Sequence, residues 1–446
     1  MKLVYGIQDK PKFSQLIVLA IQQLLAIMAA TLVVPVIVGN GMSPAAALFG
    51  AGIGTLIYVM FTKKSSPVFL GSSFAFLGSM AAAFAGAVSI ELGYLGLILG
   101  AFFAGLVYVV IAAVVKAAGV QWINKLMPAV VIGPTVAIIG LSLAGNAVGD
   151  LTTSSLEGGS EYIAVICGLV TLFATMISAT YGKRTAKLIP FIIGIAAGYV
   201  VAVLFYIIGA ATGNAALQII DFSSFSALFA DGVRLKSFVS VPDFTFLTAF
   251  KGTGDVNAAY IGTIAVAYIP VAFVVFAEHI ADHKNISSII GKDLLEDPGL
   301  SRTLLGDGVG SMFGAFFGGC PNTTYGESIA CVAVTGNASV ATIITAAIGA
   351  IIISFISPFV ALVNSIPSCV MGGVCMTLYG FIAVSGLRMF KHIDLDKNRN
   401  LFVVSVILIS GIGGFMLSFG QVSVTEVACA LILGIITNLV LSKADK

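Results

Sequence analysis

The chain has 446 residues, of which 59% are hydrophobic and only 9% are charged, whereas a soluble domain carries about 25% charged residues. A water-soluble fold could not bury so much apolar surface, so we expect a membrane protein. The formal net charge of +2 is too small to indicate nucleic acid as a partner.

The predicted elements are apolar runs long enough to cross a hydrocarbon core of about 30 Å. The first run is too long for the core of a signal peptide and is interpreted as a span. Hydropathy and turn residues predict fourteen such segments, at about 14–38, 43–62, 67–87, 91–115, 127–146, 162–181, 186–209, 257–281, 303–319, 323–338, 340–362, 366–387, 400–419 and 423–442.

The positive charges test this segment count independently. If the amino terminus is cytoplasmic and the sides alternate, 19 of the 22 Lys and Arg residues fall on the cytoplasmic side. The exceptions, Arg234, Lys236 and Lys251, lie in the long loop after the seventh segment. The pattern predicts a multi-pass protein of the bacterial cytoplasmic membrane with both termini in the cytoplasm.

Two halves of seven segments can be repeats only if they have opposite orientations in the membrane. The third and tenth segments share a motif, Gly71-Ser72-Ser73-Phe74 in one and Asn322-Thr323-Thr324-Tyr325 in the other. The fifth and twelfth both begin P-x-x-V-x-G, at Pro128 and at Pro367. The sequence therefore predicts an all-α membrane fold of 7+7 inverted repeats.

Proline, glycine and turn-forming residues interrupt the third and tenth segments. Unpaired backbone groups are not tolerated in lipid, and matching interruptions in two halves indicate a transporter's binding site. We expect a short extended stretch in each segment, followed by half-helices that begin near Phe74 and Gly326. Their free N–H groups would face the site. Kinks that serve packing alone are the alternative.

Few acidic residues lie at membrane depth, and the clearest are Glu278 and Glu327. An intramembrane carboxyl group is a functional-site hypothesis by default, because it is costly in lipid. Asp282 follows Glu278 by one helical turn, and His279 and His283 lie beside them. The sequence leaves open whether these three still lie within the membrane.

Other polar residues at intermediate depth, Asp307, Gln22 and Gln23, are interpreted as hydrogen-bonding groups between helices. The six cysteines form no metal-binding pattern, so neither a metal nor a cofactor is expected. His279 and His283 form HxxxH, but the zinc-protease motif HExxH does not occur. We therefore do not expect an enzyme.

Several strings resemble the nucleobase–ascorbate transporter family, also called nucleobase:cation symporter-2. Within that family the chain is most similar to the bacterial uracil permeases. The strings, in chain order, are LVVPVIV, FLGSSFAF, AEHIADH, KDLLEDPGLSRTLLGDG, PNTTYGES and VMGGVCMTLYG.

The resemblance implies a core domain (1–116 and 257–363) and a gate domain (117–256, with the long extracellular loop, and 364–446). It also implies a homodimer formed through the gate domains in the lipid bilayer, and uptake of a nucleobase, here uracil, with a proton as the coupling ion. A xanthine or guanine symporter of the same family stays open. An anion transporter or channel with the same fold is a further alternative.

Site residues follow from the same resemblance. The implied substrate-binding set is Phe74, Glu278, Gly326, Glu327 and Tyr379, with Ser73 and Tyr325 beside them. For proton coupling the residues themselves predict Glu278, Asp282, His283 and Glu327, the titratable groups at or beside the line of carboxylates that runs from membrane depth toward the cytoplasm. The chain departs from the family pattern at three places. Asp282 and Gln23 each stand where relatives carry His, and Ser328 stands where the signature has Asn.

Overall fold

The computed structural model describes residues 3–119, 122, 126–183, 185–419 and 422–442, and helices dominate this part of the chain. Its helices of eight or more residues are α1 (Phe13–Val38), α2 (Pro44–Phe61), α3 (Leu77–Ala85), α4 (Ile90–Ala118), α5 (Ala129–Ser142), α6 (Ala144–Thr152), α7 (Glu161–Tyr181), α8 (Pro190–Thr212), α9 (Ala258–Ile290), α10 (Leu300–Gly318), α11 (Gly326–Thr335), α12 (Val340–Ile353), α13 (Ser357–Asn364), α14 (Ser368–Arg388), α15 (Asn398–Ile412) and α16 (Glu426–Leu441). Its strands are β1 (Leu70–Ser72), β2 (Asn322–Thr324), β3 (Leu417–Phe419) and β4 (Val422–Val424).

Helix lies within each of the fourteen segments that hydropathy predicts. In the described residues, eight helices are long and apolar enough to cross a membrane, and five shorter helices are also apolar. The arrangement as fourteen spans in two inverted repeats stays a prediction. One detail differs from it, because the hairpin β3–β4 occupies the predicted end of the thirteenth segment and the start of the fourteenth.

Helix ends follow local capping rules. Ser43 caps α2 by accepting a hydrogen bond from the Ala46 N–H, and Pro44 fills the first helical position. Asn257 caps α9 in the same way, through the Tyr260 N–H at 2.8 Å. Helix α9 then runs for 33 residues, about 50 Å at 1.5 Å per residue. It is therefore longer than the predicted eighth segment and carries Asp282 and His283 within the same helix as Glu278.

The helices pack mainly within two sets. In the first set α10 packs on α2 and α4, α9 packs on α4, and α12 packs on α1 and α2. In the second set α14 packs on α5, α6 and α7, α8 packs on α7, and α15 packs on α5 and α16. The division into a core domain and a gate domain, with its boundaries, stays a prediction.

Glycine allows the closest of these helix contacts. A Cβ atom on Gly54 would lie 2.8 Å from the Gly310 carbonyl oxygen, and one on Gly310 would lie 2.7 Å from the Gly54 carbonyl oxygen. No side chain fits at either position, so α2 and α10 approach to backbone distance. Small residues at helix interfaces permit this packing inside a bilayer.

Strands β1 and β2 form an antiparallel pair at the centre of the first set, with Leu70 opposite Thr324 and Ser72 opposite Asn322. Two further backbone bonds extend the pair, from Ser73 N–H to the Pro321 carbonyl at 2.8 Å and from Tyr325 N–H to the Phe69 carbonyl at 3.2 Å. The two interrupted segments thus satisfy each other's backbone groups. The extended stretches that the sequence predicts are present.

Candidate functional site

Two half-helices begin where the strands cross. Helix α3 follows β1 through a single 3-10 turn at Phe74–Phe76, and α11 follows β2 from Gly326. The first N–H groups of a helix have no partner within it and carry the positive end of its dipole. Gly326 is exposed, and a Cβ atom added there would meet nothing within 4 Å. Open space therefore lies in front of α11.

Three carboxylates gather near this space. Glu278 and Asp282 lie one turn apart on α9, and Glu327 lies in the first turn of α11. All three are half-buried, and they are close enough to interact electrostatically. Within the described residues, no Lys or Arg forms an ion pair with any of them. The structure thus brings Glu278, Asp282 and Glu327 together.

Asp282 is tied to the crossing strands. The Thr324 hydroxyl donates a hydrogen bond to Asp282 Oδ2 at 2.7 Å. Thr324 is the last residue of β2, two positions before Gly326. The sequence left the depth of Asp282 open, and this bond places it at the start of the half-helix.

His283 lies apart from the carboxylates. Its side chain is fully buried, with Nδ1 2.8 Å from the His279 carbonyl oxygen and Nε2 2.7 Å from the Tyr58 hydroxyl. A carbonyl oxygen only accepts, so Nδ1 donates that bond. Both ring nitrogens are therefore hydrogen-bonded. His283 follows Asp282 by one residue, which turns the helix by about 100°, and its ring consequently faces α2 rather than the carboxylates.

His279 also points away from the open space. Its Nδ1 lies 2.7 Å from Asp307 Oδ2, and its Nε2 lies 3.0 Å from the Thr303 hydroxyl. His279, Thr303 and Asp307 are fully buried. The three side chains tie α9 to α10, as the interpretation of Asp307 as a group that hydrogen-bonds between helices predicts.

An aromatic pair connects the two sets of helices at the site. The ring centroids of Phe74, before α3, and Tyr379, on α14, are 5.8 Å apart, with the ring planes at 79°. This edge-to-face arrangement is favourable for aromatic rings. Phe74 is 9% exposed and Tyr379 2% exposed. Tyr379 therefore reaches the site from the second set.

Ser73 and Tyr325 flank the crossing in different ways. Ser73 Oγ is buried and has no hydrogen-bond partner among the described residues. The Tyr325 hydroxyl donates to the Ser72 carbonyl at 2.7 Å, and its ring lies against Gly71, where any Cβ atom would overlap it. Tyr325 thus braces β1.

Two residues emerge that were seen in the sequence only as part of a repeat motif. Thr324 holds Asp282, and Thr323 Oγ1 is buried without a partner in the described residues. In the sequence, two adjacent hydroxyl residues directly before a predicted half-helix were the feature that could have identified them. In the described residues, no three His, Cys, Asp or Glu side chains are grouped as a metal site would require.

Comparisons with known proteins agree on the family. A family model named Xan_ur_permease, described as "Permease family", matches residues 14–419. The uracil permease of Bacillus caldolyticus is 38% identical over 443 residues, which cover 99% of this chain and 95% of that protein. The uracil permease of Escherichia coli (strain K12) is 33% identical over 438 residues, which cover 98% of this chain and 93% of that protein.

Solved structures share the fold. The transmembrane domain of the cyanobacterium bicarbonate transporter BicA gives a TM-score of 0.63 at 13% identity, covering 97% of this chain and 100% of that one. The murine anion transporter Solute Carrier 26 family member A9 also gives 0.63, at 11% identity, covering 98% of this chain and 69% of that one. At such low identity these likenesses show the fold alone.

The family model and the full-length relatives together decide the classification. The chain is a multi-pass membrane protein and belongs to the Xan_ur_permease family of permeases, the nucleobase:cation symporter-2 family whose motifs it carries.

Proposed function

We propose that the protein imports uracil across the cytoplasmic membrane by proton symport. One observation carries the proposal: carboxylates that form no ion pair with any described Lys or Arg lie near the start of a half-helix, beside an aromatic pair and an open space. The relatives named uracil permeases, 33–38% identical over nearly the whole chain, support uracil as the solute.

The chemistry of the site matches a pyrimidine base. Uracil has N–H donors and carbonyl acceptors on the edge of a flat ring. Glu278 and Glu327 would accept from its N–H groups, while the backbone at Phe74 and Gly326 would donate to its carbonyl oxygens. Phe74 and Tyr379 would cover the ring. A base that lacks a matching donor would leave a buried carboxylate unpaired, which is costly.

The carboxylate cluster also supports proton coupling. Like charges that lie near one another repel strongly where water is scarce, and proton uptake relieves that repulsion. We place the coupling on Glu327 and Asp282, with Glu278 mainly reading the base. His283, also predicted as a coupling residue, hydrogen-bonds to the Tyr58 hydroxyl and the His279 carbonyl. Its part in coupling stays a prediction.

Alternating access would move the first set of helices against the second. The base would lie between them, since Phe74 belongs to one set and Tyr379 to the other. Both termini would be cytoplasmic, and two copies would associate through the second set, the proposed gate domain.

The test is uptake of labelled uracil into proteoliposomes with an imposed inward proton gradient. Xanthine and adenine serve as competitors, and the variants are Glu278→Ala and, as matched control, Glu161→Ala, an exposed carboxylate at the start of α7. We expect gradient-driven uptake that only uracil-like bases compete for, abolished in Glu278→Ala and retained in the control. Competition by xanthine would overturn the assignment of uracil as the substrate. Uptake that follows a sodium gradient would overturn the assignment of the proton as the coupling ion.

A further inference from the structure

The Ser328 hydroxyl lies at the meeting point of three segments of the chain. Ser328 Oγ accepts one hydrogen bond from the Phe69 N–H at 3.0 Å and another from Gln23 Nε2 at 2.5 Å. Phe69 directly precedes β1, and Gln23 lies on α1. Ser328 is fully buried and Gln23 is 3% exposed. Two buried donors therefore depend on one oxygen atom.

These contacts fix the start of α11 against β1. The N–H of Phe69 donates to Ser328 Oγ, and the carbonyl of Phe69 accepts from the Tyr325 N–H at 3.2 Å. A single residue before β1 is thus bonded to both sides of the dipeptide Gly326-Glu327. Any tilt of α11 that moved the Glu327 carboxylate would have to break one of these bonds.

We propose that Ser328 and Gln23 are positioning residues that set the Glu327 carboxylate and the Gly326 N–H in register with the substrate. The inference rests on the proposed function and adds to it two residues that do not touch the base. The Gln23 amide donates directly to the Ser328 hydroxyl, so the two side chains act as one unit.

The hydrogen-bond pattern predicts an order of effects. Ser328→Ala leaves both the Phe69 N–H and the Gln23 amide without an acceptor, whereas Gln23→Leu removes only one donor from an oxygen that keeps the other. We expect the KM for uracil to rise about 30-fold in Ser328→Ala and about fivefold in Gln23→Leu, since misplacement by about 1 Å can cost about 100-fold. The double variant should match Ser328→Ala within about twofold, because its second change removes nothing further.

A structural role alone would not produce a selective change in KM. Size-exclusion chromatography in detergent gives the amount of folded protein, and maximal uptake per folded protein should stay within about threefold of wild type. Ser328→Thr keeps the hydroxyl oxygen, so its KM should lie much closer to the wild-type value than that of Ser328→Ala. The matched control is Thr171→Val on α7, a buried hydroxyl whose bond to the Cys167 carbonyl lies within one helix. Its KM should stay within about twofold of wild type.

Thermal unfolding of the same four proteins tests the contact independently of transport. The decrease in melting temperature in the double variant should differ from the sum of the decreases in the two single variants. An unchanged KM in Ser328→Ala would overturn this inference, and so would additive effects of the two substitutions on KM and on melting temperature. Wild-type uptake would still uphold the proposed function in either case. Absence of wild-type uracil uptake would instead overturn the proposed function, and additivity in the unfolding cycle would still decide whether Gln23 and Ser328 act together.

Discussion

Two glycines at the strand crossing should respond oppositely to the same added methyl group. At Gly326 a Cβ atom would meet no atom within 4 Å, and the residue begins a helix, where Ala is preferred over Gly. At Gly71 the Cβ atom would overlap the Tyr325 ring. We therefore expect Gly326→Ala to fold normally and Gly71→Ala to lose about 1–3 kcal/mol of stability through overpacking.

The effect of Gly326→Ala on transport follows from the position of the methyl group. It would project about 1.5 Å into the space proposed for the base, enough to break an N–H···O bond of about 2.9 Å. Losing one hydrogen bond between a backbone N–H and a carbonyl oxygen of the base costs about 0.5–1.5 kcal/mol, which corresponds to about 2- to 13-fold in affinity. The KM for uracil should rise by that factor while the melting temperature stays the same or increases.

The assay is uptake by purified protein in proteoliposomes, with melting temperatures measured on the same preparations. Gly349→Ala on α12 is the matched control, since its nearest neighbour, Leu24 Cδ2, is 3.4 Å from the added Cβ atom. It should leave both quantities unchanged. Normal KM in well-folded Gly326→Ala protein would refute the placement of the substrate in front of α11.

Three further predictions concern the carboxylates and their supports. Glu327→Gln should retain binding of uracil but lose accumulation driven by a proton gradient, and unchanged accumulation would contradict its coupling role. Thr324→Val keeps the side-chain shape but removes the 2.7 Å bond to Asp282, so uptake should fall about tenfold, while Thr345→Val, which removes a bond within α12, should have little effect. Asp307→Ala removes the acceptor of the buried hydrogen bond to His279 and should cost about 1–3 kcal/mol in unfolding experiments, against less than about 1 kcal/mol for Asp297→Ala, whose side chain is exposed; equal losses would contradict this reasoning.

Local pattern was sufficient for much of the fold. Runs of apolar residues predicted segments that all contain helix, because backbone groups in lipid must be paired within the same segment. The proline and glycine interruptions at Gly71 and Pro321 likewise predicted extended stretches before Phe74 and Gly326. Hydropathy could not predict the β3–β4 hairpin or the full length of α9, since both depend on what surrounds the chain.

The candidate site was predictable in its acidic residues, because Glu278 and Glu327 are costly in lipid wherever the chain folds. The partners of those residues were not. Asp282 and His283 are adjacent in sequence, yet one bonds to Thr324 at the crossing and the other to Tyr58 on α2. Their separation depends on which helices pack around α9.

The sequence by itself determined that the chain folds in a membrane, where two of its segments are interrupted, and which acidic residues lie at membrane depth. Each of these follows from composition or from neighbours along the chain. Only the tertiary structure decided that the two broken segments pair with each other, that three carboxylates meet beside them, and that Gln23 contacts Ser328 across 305 positions of sequence. These contacts join residues far apart in the chain, and their energies depend on distance in space.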